Sequence, residues 1–218
     1  MSALFVVVAV LVALLGLFGI LYFPLRSLLE RKHFSKSVYR SLYHLAEDED
    51  FYLLNNVRLY FDGNPEPYVY SHILFGEKYV YFVQDFTEEG GIFGDLRDDH
   101  LFRRDFRGEV TSLDNPVKAQ EKRVGRLLEQ IRLPQDSSMF VRAVVYNDSL
   151  TVSHALQAEE KGYWFLPKKE LLSTIRKAEK DDVPPIKEED NHNLVQLLKQ
   201  ISEKNKAYQK EESAKPSR

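Results

Sequence analysis

The chain of 218 residues contains no cysteine, which removes disulfide staples, thiol nucleophiles and zinc–thiolate sites together. That absence does not fix the compartment, since cytosolic and exported proteins can both lack the residue. An excess of positive charge is also missing: 30 lysines and arginines stand against 33 aspartates and glutamates, a formal net charge of -3. A protein whose main work is neutralising phosphates carries the opposite balance. No G-x-S-x-G nucleophile elbow occurs. Gly90, Gly91 and Gly94 lack the Lys-Ser/Thr that completes a phosphate loop, so they are turn glycines. The six histidines (33, 44, 72, 100, 154 and 192) show no metal-ligand spacing, and Asp98-Asp99-His100 has the composition of a polar loop. No cofactor is expected. What is plentiful is apolar material, 44% of residues with 12% aromatic, enough for one ordinary domain with appendages.

The longest apolar run, Ala3 to Phe23, contains no charge. A helix of roughly 20 such residues matches the hydrocarbon thickness of a bilayer. A cleaved signal peptide needs a basic beginning and a small-residue cleavage site, and neither is present. A helix apolar all round would be unusual inside a domain of this size. The expectation is a single transmembrane anchor over residues 1–24. Arg26, Arg31, Lys32, Lys36 and Arg40 follow the run and nothing basic precedes it. The positive-inside rule then places the N-terminus outside and the main domain in the cytoplasm, at the cell membrane.

Residues 24 to 46 carry leucines, Phe34, Val38, Leu42 and Leu45 near helical spacing. Their basic side chains suit anionic headgroups; from Phe34 onward a helix covering a sheet is the favoured reading. Phe51 to Tyr60 is expected as a strand interrupted at Asn55-Asn56, with a turn at Asp62-Gly63-Asn64-Pro65. YVYSHILF, GEK and YVYFVQDF then form a hairpin from Tyr68 to Phe86, reversing at Gly76. Thr87 to His100 has the composition of a polar loop, and Leu101 to Arg104 that of a short strand. Asn115-Pro116 supplies a cap and a first-turn proline to a helix reaching Ile131. That helix buries Val117, Val124, Leu127, Leu128 and Ile131. Met139 to Tyr146 and Tyr163 to Phe165 are expected strands, and Lys168 to Lys177 a closing helix. From residue 179 to 218 the composition becomes charged and linker-like, and a flexible tail is expected, with the apolar stripe of Leu194, Leu197, Leu198 and Ile201 as a candidate short docking helix.

The hairpin, with Gly90-Gly91-Ile92-Phe93-Gly94 after it and the Asn115-Pro116 helix start, resembles the nuclease-related domain (NERD) family of the PD-(D/E)xK nuclease superfamily. The resemblance covers residues 34 to about 150. It implies an α/β (α+β) fold, a restriction-endonuclease-like αβββαβ core with a mixed sheet, spanning residues 25–178. In that family the first hairpin strand carries Asp before His, and the second ends in Glu-x-Lys. Here those positions are Ser71-His72 and Gln84-Asp85-Phe86. A Glu near the start of the first helix is also missing, the neighbourhood being Phe34-Ser35-Lys36-Ser37. Beyond Asn-Pro, the family's Gln position is Ala119, with Gln120 one place late.

The superfamily's chemistry holds Mg2+ on carboxylates while a lysine positions water. Ser71 and Gln84 offer oxygen without charge, and Phe86 offers neither a hydrogen bond nor a cation. Asp85 is an unsuitable substitute, because strand side chains alternate and it should face away from Gln84 and Phe86. No catalytic or metal-binding residue is therefore expected at Ser71, His72, Gln84 or Phe86. For nucleic acid the candidate contacts are Arg103, Arg104, Arg107, Lys118, Lys122, Arg123 and Arg126. Interleaved Asp98, Asp99, Asp105, Glu109, Asp114 and Glu121 cancel much of that charge, so a mixed solvated surface is the favoured reading of this stretch. The leading expectation is a membrane-integral, catalytically inactive NERD-like module that binds or scaffolds a protein partner. A membrane-tethered DNA- or RNA-binding protein and a divergent Mg-dependent nuclease are the alternatives.

Overall fold

The structure, a computed structural model, describes residues 22, 29–59, 67–132, 138–156 and 162–213, with side chains up to residue 200. The expected membrane span falls outside the described residues except for Tyr22, as does the turn at Asp62 to Pro65. Among the described residues no helix is long and apolar enough to cross a membrane. The chain divides into two compact units, Met1–Ser37 and Val38–Arg218. In the first, the described residues 29–37 are helical. Helix α1 covers residues 29–48, and its residues from Val38 on belong to the second unit. Val38, Leu42 and Leu45 recur at helical spacing and are completely buried.

The second unit is mixed α/β, with two mixed sheets. Its strands are β1 (Tyr52–Leu59), β2 (Tyr68–Phe75), β3 (Val80–Phe86), β4 (Gly91–Phe93), β5 (His100–Arg104), β6 (Val110–Asp114), β7 (Phe140–Tyr146), β8 (Thr151–Val152) and β9 (Tyr163–Pro167). Helices α2 (Pro116–Gln130), α3 (Lys168–Ala178) and α4 (Glu188–Ser213) complete it. The first sheet runs β1-β2-β3-β7-β9. Its first three strands form an antiparallel meander, and β7 and β9 lie parallel to β3. A parallel neighbour requires a crossover, which α2 provides between β3 and β7. The second sheet, β6-β5-β4-β8, contains the strand expected at Leu101 to Arg104 as β5, and adds β4 from within the stretch expected as a polar loop.

Two apolar clusters hold these layers. On one face of the first sheet, Ile73, Phe75, Val80, Phe82 and Phe140 pack with Val124, Leu127 and Leu128 of α2 and with Leu194, Val195 and Leu198 of α4. Phe86, Val144, Tyr146 and Phe165 pack with Ile92 and Leu101 of the second sheet and Val117 of α2. Burial at about 25 cal/mol per Å2 of apolar surface is the main stabilising term in both.

Helix α2 begins as its sequence demands: the Asn115 side chain accepts from the Val117 amide at 3.0 Å, and Pro116 occupies the first turn. Strand β1 runs over Tyr52–Leu59, and the expected interruption at Asn55-Asn56 is a local irregularity within it. Asn56 adopts a φ of 51°, and Asn56 and Ser71 drop out of the ladder while the register on either side is unchanged. The apolar stripe expected as a docking helix in the charged tail is helical and docks on its own domain, in a helix longer than expected. Residues 188–213 form one long helix, and its Leu194, Val195 and Leu198 belong to the core.

Candidate functional site

The irregularity at Asn56 and Ser71 decides what the hairpin presents. Strict alternation from Tyr70 would put His72 on the same face as Tyr70. Instead Tyr70 and Ile73 both pack into the cluster under α2 and α4, so alternation is broken between them. In β1, Leu54 and Val57 show the matching break. His72 therefore turns to the opposite face, where its ring stacks against Tyr39 of α1 with centroids 6.3 Å apart.

That face is also where Asp85 points. Its Oδ1 lies 3.3 Å from His72 Nε2, and both side chains are buried, 8% and 1% exposed. The pair is electrostatic and imperfectly aligned, since neither imidazole nitrogen completes a hydrogen bond. One carboxylate and one imidazole are too few donors for a magnesium site, which takes several hard oxygens. Among the described residues no group of three or more His, Asp or Glu side chains is placed to hold a metal ion.

Gln84 and Phe86 occupy the α2 face. Gln84 Oε1 accepts from Arg123 at 3.2 Å, and the Arg123 carbonyl accepts from the Tyr70 hydroxyl at 2.7 Å. Burial drives the Tyr70 phenol above its ordinary pKa, so it stays a donor across the neutral range. Phe86 sits edge-on to Phe165 within the apolar cluster. Next to them Gln120, fully buried, donates to the Phe82 carbonyl at 2.6 Å. Ser71 stands half-buried at the break itself. Ser71, Gln84 and Phe86 are thus a gap in a ladder, a glutamine held by arginine, and a packed phenylalanine.

The sequence-predicted basic residues are dispersed over β5, the turn that follows it and α2. Arg103 forms an ion pair with Glu88 at 2.7 Å. Arg104 lies over Phe93 and Arg107 over Phe106, with cation-to-centroid distances of 5.5 and 5.4 Å. On α2, Lys118 pairs with Glu121 at 3.3 Å, Arg123 turns to Gln84, and Lys122 and Arg126 are exposed. Five of the seven therefore have a local partner, and Lys122 and Arg126 project into solvent.

Two functional groupings were hidden from sequence reasoning. The His72–Asp85 pair joins residues on separate strands, and only the broken alternation at Ser71 brings them together. The second grouping is a latch. Glu179, at the end of α3, accepts from the Lys78 amide at 2.9 Å and the Tyr81 hydroxyl at 2.6 Å. Asp181 accepts from Tyr79, its carbonyl accepts from Lys78 Nζ, and the Ile186 amide donates to Glu77. The hairpin turn is thereby tied to the segment leading into α4. No protein-family model, curated protein or solved structure matches this chain.

Proposed function

We propose that this protein is a non-catalytic binding module built on a nuclease-like αβββαβ core of the NERD type and tethered to a membrane through residues 1–24. One observation carries the reading. The positions that would hold the acids and lysine of a nuclease are built into the fold, with Gln84 bonded to Arg123 and Phe86 packed on Phe165. The buried acid nearby, Asp85, lies on the far face beside His72. Supporting it further, the first sheet and its helices follow the order that the resemblance implies, helix, three antiparallel strands, crossover helix, parallel strand, with β4, β5 and β6 inserted before the crossover helix. The tether rests on the uninterrupted apolar run and its basic flank.

The test uses the purified full chain with labelled duplex and branched DNA at low salt, with and without Mg2+. The expected result is neither cleavage nor a rise in melting temperature with Mg2+, because a ligand stabilises only a native state that binds it. Cleavage abolished by changing Gln84 or Asp85 would overturn the proposal. Binding that weakens steeply with salt but cuts nothing would make nucleic acid the partner.

A further inference from the structure

The second sheet has one face in the core and one in water. Ile92 and Leu101 face inward. Outward, the pairing register aligns Phe93, Phe102 and Ser112 in one row, and Gly91, Arg104 and Val110 in the next. The rings of Phe93 and Phe102 stack with centroids 5.7 Å apart. Phe102 is 41% exposed, Val110 51%, and Phe106 at the hairpin tip 91%. Nothing in the described fold uses this surface, and contiguous exposed apolar groups mark an interaction site.

Strand β6 is the outer edge of that sheet. Bonded backbone pairs flank it on both sides: the Asp105 amide donates to the Glu109 carbonyl, and the Asn115 amide to the Asp99 carbonyl, each at 3.0 Å. In an antiparallel ladder such pairs alternate. Thr111 and Leu113 therefore turn their backbone groups toward β5, and Val110, Ser112 and Asp114 turn theirs outward. The strand contains no proline, lysine or bulge, the usual devices that blunt an edge.

We infer that β6 pairs with β6 of a second copy of this chain, antiparallel about a two-fold axis at Ser112, giving one continuous sheet. Only the register centred on Ser112 uses all three outward residues. Ser112 faces Ser112, and Val110 faces Asp114 of the second copy. The charges then match. Arg104 and Arg107 lie at the tip end of the hairpin, and Asp98, Asp99 and Asp114 at its base. The antiparallel arrangement brings each tip to the other copy's base. Arg104, beyond Val110, stands two strand spacings, about 10 Å of backbone, from Asp114 of the second copy, within the summed reach of the two side chains. Phe102 and Phe93 of each copy extend the apolar row on either side of the serines. This inference rests on the second sheet alone and is independent of the nuclease resemblance.

Because the chain has no cysteine, Ser112→Cys creates its sole thiol. Residues of a bonded antiparallel pair lie about 5.5 Å apart at Cα, inside the range a disulfide spans. Mild oxidation, or a short bis-maleimide, is applied to the full chain in detergent. The expected product is a covalent dimer from Ser112→Cys, formed about tenfold or more faster than from the exposed control Ser149→Cys. Equal rates, or no dimer, would overturn the inference. A second measurement places Arg104→Asp or Asp114→Arg in the Ser112→Cys background. Each alone should lose the crosslink through like-charge opposition, and an equal mixture of the two should regain it as a heterodimer, since every charge pair is then complementary. Failure of the mixture to recover would refute the register.

Discussion

Removing the Glu179 carboxylate should unlatch the hairpin turn from the α3–α4 connection. Glu179 accepts two hydrogen bonds, from the Lys78 amide and the Tyr81 hydroxyl, and Tyr81 is fully buried. A hydrogen bond to a charged group contributes about 1.5–3 kcal/mol, and a buried hydroxyl left without a partner costs about 1–3 kcal/mol. Screening at the half-exposed carboxylate reduces the first figure, so Glu179→Ala should destabilise by about 2–4 kcal/mol. Tyr81→Phe removes one bond together with its donor and should cost about 1 kcal/mol. The double variant should then cost less than the sum by about 1–2 kcal/mol, because the second change removes the orphaned hydroxyl. The single tryptophan, Trp164, is buried with its ring 5.6 Å from that of Tyr81, so its fluorescence reports urea unfolding at the right place. A loss below about 0.5 kcal/mol for Glu179→Ala, or strict additivity in the double variant, would refute the latch.

Asn115→Ala removes the α2 cap together with its bonds to the Leu96 and Asp98 carbonyls at 2.9 and 2.7 Å. It should cost about 2–3 kcal/mol in urea unfolding and speed amide exchange across residues 94–99. Gly90 has a φ of 102°, and an added Cβ would run into the Arg104 carbonyl, whereas Gly108, with a φ of 85°, has open space. Gly90→Ala should therefore cost at least about 1 kcal/mol more than Gly108→Ala, as read from urea midpoints of the two variants. Burial raises the phenol of Tyr70, and burial with the Glu179 bond raises that of Tyr81, above the ordinary value of about 10. A folded-state pKa raised in this way means full stability below about pH 10 and a loss as pH rises beyond it, which urea midpoints between about pH 8 and pH 11 would follow. Tyr81→Phe should make that decline shallower.

Elements with strong local chemistry were legible in the sequence. The hairpin over Tyr68 to Phe86, the Asn115-Pro116 helix start and the strands ending at Tyr146 and beginning at Tyr163 all lie where β-branched and aromatic runs, a turn glycine or a cap place them. Asp85's orientation away from Gln84 and Phe86 was legible too, because alternation needs no knowledge of neighbours. Of the second sheet only β5 was, as the short strand at Leu101 to Arg104. Strand β4 has three residues and β8 two, too short for any period, and they exist because they pair with each other and with β5. Helix α4 was legible only as a short stripe in a charged tail, because its apolar face is narrow; what seats it is the apolar cluster it shares with β1 and its neighbours.

By itself, then, the sequence determined which segments become the strands of the first sheet and the crossover helix α2. Tertiary structure alone decided where the remaining polar groups went. His72 meets Asp85 because a one-residue break at Ser71 reverses a face, and Glu179 meets Tyr81 across a long stretch of chain. Local propensity acts over a few residues, and both pairings depend on strands brought together only when the apolar faces are buried.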